Sequence, residues 1–231
     1  NCLVTLADSE AVMQQLMDYR FATNGQLDGH SLGNMLIAAT ARIAGDFYQG
    51  VVMAGELLAI RGRVVPSTST DVTLVGSTVS GQRLVGESQV GKAKERLESV
   101  ALAPPDAPAH PEAKKAIEEA DLIILGPGSL FTSIVPNLLV REIATAVASA
   151  RALKMYICNV AEEPGETLGY SVLEHLDVVH HYLGQGAIDL VIANSNLIQE
   201  RRPPSLRLVE PEVGWKEPTL YVLADVIDET T

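Results

Sequence analysis

Cysteine is nearly missing from this chain. Cys2 and Cys158 are the only two in 231 residues, so neither a disulfide framework nor a cysteine-based metal cage has the material to form. Cys158 lies inside the apolar run Met155-Tyr156-Ile157-Cys158 and reads as a buried free thiol, which makes a reducing compartment the default. Aromatic residues amount to 4%, which leaves few platforms on which bases could stack. Basic side chains are outnumbered 17 to 29 by acidic ones, and the resulting formal charge of -12 repels phosphodiester backbones. Nucleic acid is therefore not an expected partner, whereas one anionic small molecule can still be held by local backbone dipoles. No apolar run approaches the roughly 20 residues of a membrane span, and the N-terminus lacks the basic-then-apolar layout of a signal peptide. A cytoplasmic protein with no membrane partner is the expectation. HExxH, paired-cysteine and GxSxG motifs are absent too, so zinc and serine-hydrolase chemistry find no support.

What is present suits one large α/β domain over residues 1–231. The chain opens on Asn1 rather than Met and runs at once into Cys2-Leu3-Val4, as a fragment of a longer chain would. With Asp8 or Ser9 as N-cap, residues 10–19 carry Val12, Met13, Leu16 and Met17 on one helical face. Asn24-Gly25 supplies turn chemistry, and Ser31 caps a second helix with an apolar stripe of Leu32, Met35, Leu36, Ala39 and Ile43. Arg63-Val64-Val65-Pro66, Val72-Thr73-Leu74-Val75 and Arg83-Leu84-Val85 alternate with Gly and Ser turns and predict a small antiparallel β insertion over 61–90. Pro111 is placed to open a helix that runs through Ala120.

The second half predicts strands at Leu122-Ile123-Ile124-Leu125, Met155-Tyr156-Ile157-Cys158 and Leu190-Val191-Ile192-Ala193, separated by helices over 136–150 and 171–183. Two successive βαβ units with nearly continuous apolar strands imply a Rossmann-like, three-layer α/β fold, a parallel sheet with helices on both faces. In such a sheet ligands settle at the carboxyl ends of the strands. Three polar segments fall there, 126–129, 159–167 and 194–196, and topology alone brings them to one rim.

Within Gly126-Pro127-Gly128-Ser129-Leu130-Phe131-Thr132-Ser133, Gly126 and Gly128 let backbone N–H groups approach an anion. Ser129, Thr132 and Ser133 add hydroxyls near a helix start. The same residues also read as a tight strand-to-helix turn, and the missing third glycine argues against a nicotinamide cofactor. Asn159 and Asn194 join the candidate nucleotide-binding set by position. Glu166 or Thr167 can grip sugar hydroxyls and Tyr170 can stack or hydrogen-bond at the pocket edge, or the loop simply caps the next helix. Arg20 can pair with a phosphate beside Asn34. His30 can donate to that phosphate or act as acid or base, or serve as an ordinary hydrogen-bonded loop histidine. Gly86-Glu87-Ser88-Gln89-Val90-Gly91-Lys92 matches the first seven positions of a P-loop, but Ala93 follows where magnesium needs a hydroxyl and Glu87 stands where phosphate would sit, so it reads as a surface turn. His180-His181 reads as packing and surface rather than a metal site.

Taken in order, Gly29-His30-Ser31-Leu32-Gly33-Asn34, Val64-Val65-Pro66, Ala120-Asp121, the 126–133 run with Pro136-Asn137-Leu138-Leu139-Val140, and Asn159 with Pro164-Gly165-Glu166-Thr167 and Glu174-His175 resemble the CofD-like superfamily, and more closely its bacterial gluconeogenesis-factor branch. The resemblance covers Asn1 to about Asn194. It implies a small-molecule nucleotide ligand, a uridine-diphosphate sugar, and a link to growth and cell shape on gluconeogenic carbon. It implies no other cofactor and leaves magnesium and self-association open. It also implies that a glycine-rich first strand and turn of the family would lie before Asn1. The founding enzyme of the superfamily moves a phospholactyl group from a guanosine-diphospho donor to a deazaflavin, the alternative activity. That acceptor needs a flat apolar surface, and the only tryptophan, Trp215, lies in the polar tail, so a binding regulator is favoured. Glu162 and Glu163 stand where the family more usually has an uncharged polar pair. Two carboxylates beside a diphosphate weaken binding unless they point away or meet a cation.

Overall fold

Hydroxyl and carboxylate caps start the longer helices of the N-terminal stretch. The Ser31 hydroxyl accepts from the Asn34 N–H, and the Asp46 carboxylate accepts from the Gln49 N–H, each meeting a backbone donor that the helix itself leaves free. The computed structural model describes residues 2–7, 10–22, 27–197, 206–213, 215 and 218–226. The N-cap expected at Asp8 or Ser9 and the turn at Asn24-Gly25 lie outside the described residues. Contacts divide the chain into two units, 1–69 and 70–231.

The first unit is helical, with α1 (Cys2–Thr5), α2 (Glu10–Asp18), α3 (Leu32–Ala44) and α4 (Phe47–Leu57). Gly45, in the left-handed region at φ 73°, ends α3. The apolar stripes expected on these helices are only partly buried. Met17 is covered, but Val12 and Leu16 are exposed and Ile43 is 74% exposed. Small residues supply the contact instead, because α3 buries Gly33 and Thr40 while α4 buries Gly50, Val51, Ala54 and Gly55. A Cβ at Gly50 would stand 2.3 Å from the Ala41 Cα, so the helices meet backbone to backbone. Arg63-Val64-Val65-Pro66, expected as a strand, is irregular, and Pro66 has no N–H to offer a ladder.

The second unit begins with β1 (Thr73–Thr78), β2 (Arg83–Val85), the short α5 (Glu87–Val90) and β3 (Leu97–Ala103), and the three strands form an antiparallel sheet in the order β2-β1-β3. It continues through α6 (Pro111–Glu118), β4 (Leu122–Leu125), a wide helical turn Leu130–Ile134, α7 (Val135–Leu138), α8 (Arg141–Ser149), β5 (Leu153–Ile157), α9 (Val172–Leu183), β6 (Leu190–Asn194) and β7 (Leu220–Ala224). Strands β4-β5-β6-β7 pair in that order, all parallel. With its helices and small antiparallel sheet this is the mixed, Rossmann-like α/β fold that the strand pattern predicts, although among the described residues the helices of this unit pack on one sheet face rather than on both. The single helix expected over 136–150 is interrupted. Pro136 cannot donate to the carbonyl four residues back, the turn before it widens so that the Ile134 N–H reaches the Ser129 carbonyl at 3.0 Å, and α8 starts afresh after Val140.

Leu125, Tyr156, Val191 and Ala193 on one sheet face pack against Leu138, Ile143, Val147, Leu176 and Val179 of the helices, and the same core extends to Leu74, Val100 and Leu102 of the antiparallel sheet. The opposite face carries Leu122, Ile124, Leu153, Leu220 and Val222, all exposed. No single helix among the described residues is long and apolar enough to cross a membrane. His180 is buried and His181 exposed, the packing pair expected, and Cys158 is a buried free thiol.

The α3–α4 crossing yields a direct test. Gly50→Ala gains about 0.5–1 kcal/mol of helix propensity but forces apart two backbones, a strain of about 1–3 kcal/mol. Urea unfolding should therefore show a net loss of stability, and an unchanged or higher midpoint would contradict the crossing.

Candidate functional site

Two loops at the carboxyl ends of β4 and β5 bond to each other. The Gly128 N–H donates to Asn159 Oδ1 at 3.4 Å, and the Ser129 hydroxyl donates to Glu163 Oε1 at 2.8 Å. Glu166 Oε2 accepts from the Phe131 N–H at 2.8 Å and the Thr132 N–H at 3.2 Å, while Oε1 accepts from the Thr132 hydroxyl at 2.7 Å. Glu166 is only 5% exposed, so these donors satisfy a carboxylate that burial would otherwise penalise heavily. Thr167 is buried and its Oγ1 accepts from the Glu163 N–H at 3.0 Å, which closes the 163–167 loop on itself. Gly126 sits at φ 83°, and a Cβ there would come 2.7 Å from the Ile157 carbonyl oxygen, so only glycine lets β4 turn this close to β5.

The predicted residues therefore fall into groups. Gly126, Gly128, Ser129, Thr132 and Asn159 share one rim with Glu166 and Thr167. Thr132 and Glu166, expected to meet a ligand, are already bonded to each other. Ser133 is exposed at the same turn. Asn194 lies one strand further along the sheet, 3% exposed, with its amide donating to the Asn196 carbonyl and its Oδ1 accepting from the Asn196 N–H. Tyr170 is buried edge-on against Phe131 and His175. Arg20, His30 and Asn34 belong to the first unit, where Arg20 donates to the Gly29 carbonyl at 2.8 Å, His30 Nδ1 lies 3.4 Å from the Asp28 carbonyl, and the Asn34 side chain is exposed.

Arg96 is a residue that motif reading missed. Its Nε donates to the Tyr170 hydroxyl at 3.2 Å, its guanidinium lies 4.3 Å from the Tyr170 ring centre, and Nη2 pairs with Glu174 at 2.8 Å. Its partners lie more than seventy positions away along the chain, and no local spacing announces them. The Glu174 carboxyl is held below its usual range, first by the Ser171 N–H of the α9 capping box and further by Arg96.

The electrostatics limit the chemistry. Burial pushes the Cys158 thiol up to about 12, so it stays protonated near neutral pH and is no nucleophile. Burial lowers the His175 imidazole, whose Nδ1 faces the Ser171 carbonyl at 2.8 Å. Glu163 is the titratable group at the turn whose carboxyl is raised, chiefly by burial and further by the neighbouring Glu166, against a lowering bond from Ser129. Its Oε2 is buried without a partner.

Over residues 1–212 the chain matches the family described as 2-phospho-L-lactate transferase CofD. It is similar to the gluconeogenesis factor of Bacillus subtilis, with 42% identity over 200 residues that cover 87% of this chain and 63% of that protein. The gluconeogenesis factor of Halalkalibacterium halodurans is 39% identical over 200 residues, 87% of this chain and 62% of that one. The chain thus spans less than two thirds of either relative. A crystal structure of a UPF0052 family member from Bacillus halodurans superimposes with a TM-score of 0.85 at 34% identity, covering 99% of this chain and 76% of the other.

The raised Glu163 carboxyl has a pH signature. The folded state binds its proton more tightly than the unfolded state, whose carboxyl titrates near 4.5, so the ionised group costs stability as pH rises through and above that value. Glu163→Gln should melt higher than the parent at pH 7, with the difference shrinking toward zero below about pH 4. A difference that does not change with pH would show that Glu163 is not strained.

Proposed function

The chain belongs to the CofD family, and from that premise we propose that the intact protein is a gluconeogenesis factor. In this reading it is a cytoplasmic regulator of carbon metabolism and cell shape that binds a uridine-diphosphate sugar at the carboxyl rim of the parallel sheet. The observation that carries the reading is the direct bonding of the 126–132 turn to the 159–167 loop, which concentrates backbone amides, hydroxyls and an amide side chain at the strand ends. Such donors suit a phosphate approached along the backbone. Ser133 and the Asn159 side-chain amide supply them, Gly126 and Gly128 allow the close approach, Ser129 is held by Glu163, and Glu166 and Thr167 hold the loops in place.

A regulator is favoured over a phospholactyl transferase by what the aromatic residues are doing. Trp215 stacks on Tyr221 with ring centres 4.4 Å apart and donates its Nε1–H to the Thr219 carbonyl, so the sole tryptophan is committed to packing β7. Tyr170 is enclosed by Phe131, His175 and Arg96. Neither presents a free flat face to a deazaflavin.

Thermal melting of the intact protein with a uridine-diphosphate sugar should show stabilisation that grows with ligand concentration, a few kcal/mol at a hundredfold excess over Kd. Gly128→Asp should abolish that shift, because the new carboxylate would stand where the phosphate approaches. The Cβ meets only the Ser133 Cβ at 3.5 Å, but φ 158° strains the position, so the variant should melt somewhat lower without ligand while its circular dichroism spectrum remains that of a folded protein. Incubation with a guanosine-diphospho donor and a deazaflavin should release no guanosine monophosphate beyond the acceptor-free control. Acceptor-dependent release would replace the regulator by the transferase.

A further inference from the structure

The rim carries Glu162, Glu163 and Glu166 on a chain of formal charge -12, so an incoming diphosphate meets like charge unless a cation stands beside it. One segment reverses the sign locally. Residues 91–96 contain Lys92, Lys94 and Arg96 against the single acid Glu95.

That segment is fastened to the rim. Gly165 has φ 93°, and a Cβ there would stand 2.7 Å from the Gly91 carbonyl oxygen and 3.0 Å from that of Ala93, so the two loops touch backbone to backbone. A Cβ on Gly91 would in turn lie 3.3 Å from Glu166 Oε1 and 3.6 Å from Thr132 Cγ2. Arg96 anchors the far end through Tyr170 and Glu174. Between the loops lies a cavity of about 140 Å³ whose lining includes Lys94, Glu95, Arg96, Gly165, Glu166 and Tyr170, so its two cations face two carboxylates. The Arg96 charge is met by Glu174, whereas Lys94 is exposed and has no carboxylate partner among the described residues. The Glu166 charge is already engaged by two amides and a hydroxyl.

We propose that this cavity is the anion subsite of the nucleotide site, and that Lys94 holds a phosphate of the ligand there. The inference rests on the nucleotide reading and adds an orientation to it. The cavity admits a phosphate but not a nucleoside, so one phosphate of the diphosphate lies toward residues 91–96 and the other at the 126–129 turn, with base and sugar outside both.

Lys94→Glu and Lys94→Ala in the intact protein test it, with calorimetric titration of uridine-diphosphate glucose and, separately, inorganic pyrophosphate. Charge reversal should raise both Kd values about tenfold or more and alanine by less, with the differences shrinking at high salt. Lys114→Glu, an exposed reversal on α6, controls for net charge and should leave both unchanged. Nucleotide binding by the parent that neither Lys94 variant alters overturns the subsite and leaves the nucleotide reading standing. Binding of pyrophosphate through Lys94 without any nucleotide binding overturns the nucleotide reading and keeps the subsite. A parent that binds neither overturns both.

Discussion

Glu166 places a carboxylate under the turn that leaves β4, and the arrangement of the rim follows from having to satisfy it. Phe131, Thr132 and the Thr132 hydroxyl converge on its two oxygens. Were the carboxylate removed, the buried Phe131 amide would lose its partner at a cost of about 1–3 kcal/mol. The contact fastens the loop after β5 to the loop after β4, and Thr167 and Ser129 extend the same network through Glu163. It also decides which donors are left for a ligand. Amides 128, 131 and 132 and the Ser129 hydroxyl are taken, and the approach to the rim falls to Ser133 and the Asn159 side-chain amide beside the glycines.

Much of this was legible in the sequence where the controlling physics is local. Apolar runs bounded by glycine or asparagine located β4, β5 and β6. Ser31, Pro111 and Ser171 marked helix starts because capping depends on one residue and its next few amides. The rest depended on partners distant in sequence. β3 mixes Glu98 and Ser99 among its apolar positions, and β7 lies in a stretch that composition marks as a polar tail; each becomes a strand by pairing with β1 or β6. The Ile43 stripe failed because glycine at α4 let backbones meet where side chains were expected to. Arg96 was hidden for the same reason, and Glu166, expected at a sugar, bonds to the 131–132 turn instead, since a chemical role made by contact across the fold leaves no periodic trace.

The charge distribution ties site to function. A chain this acidic presents anions with a repulsive field, and Lys92 and Lys94 place positive charge beside the carboxylates of the rim without changing the whole. The groups able to do covalent chemistry are restrained in the opposite sense. The Cys158 thiol and Tyr156 phenol are pushed up by burial, and His175 is pushed down by it. An interior that holds these groups in their neutral forms and a rim built from hydrogen-bond donors suit recognition of a ligand.

Backbone amide shifts of the isotopically labelled intact protein, followed through a titration with a uridine-diphosphate sugar, test the central claim most directly. The account predicts saturable changes concentrated at residues 91–96, 126–133 and 159–167, with little change along α6. Saturable binding that perturbs other segments and spares these three would contradict it.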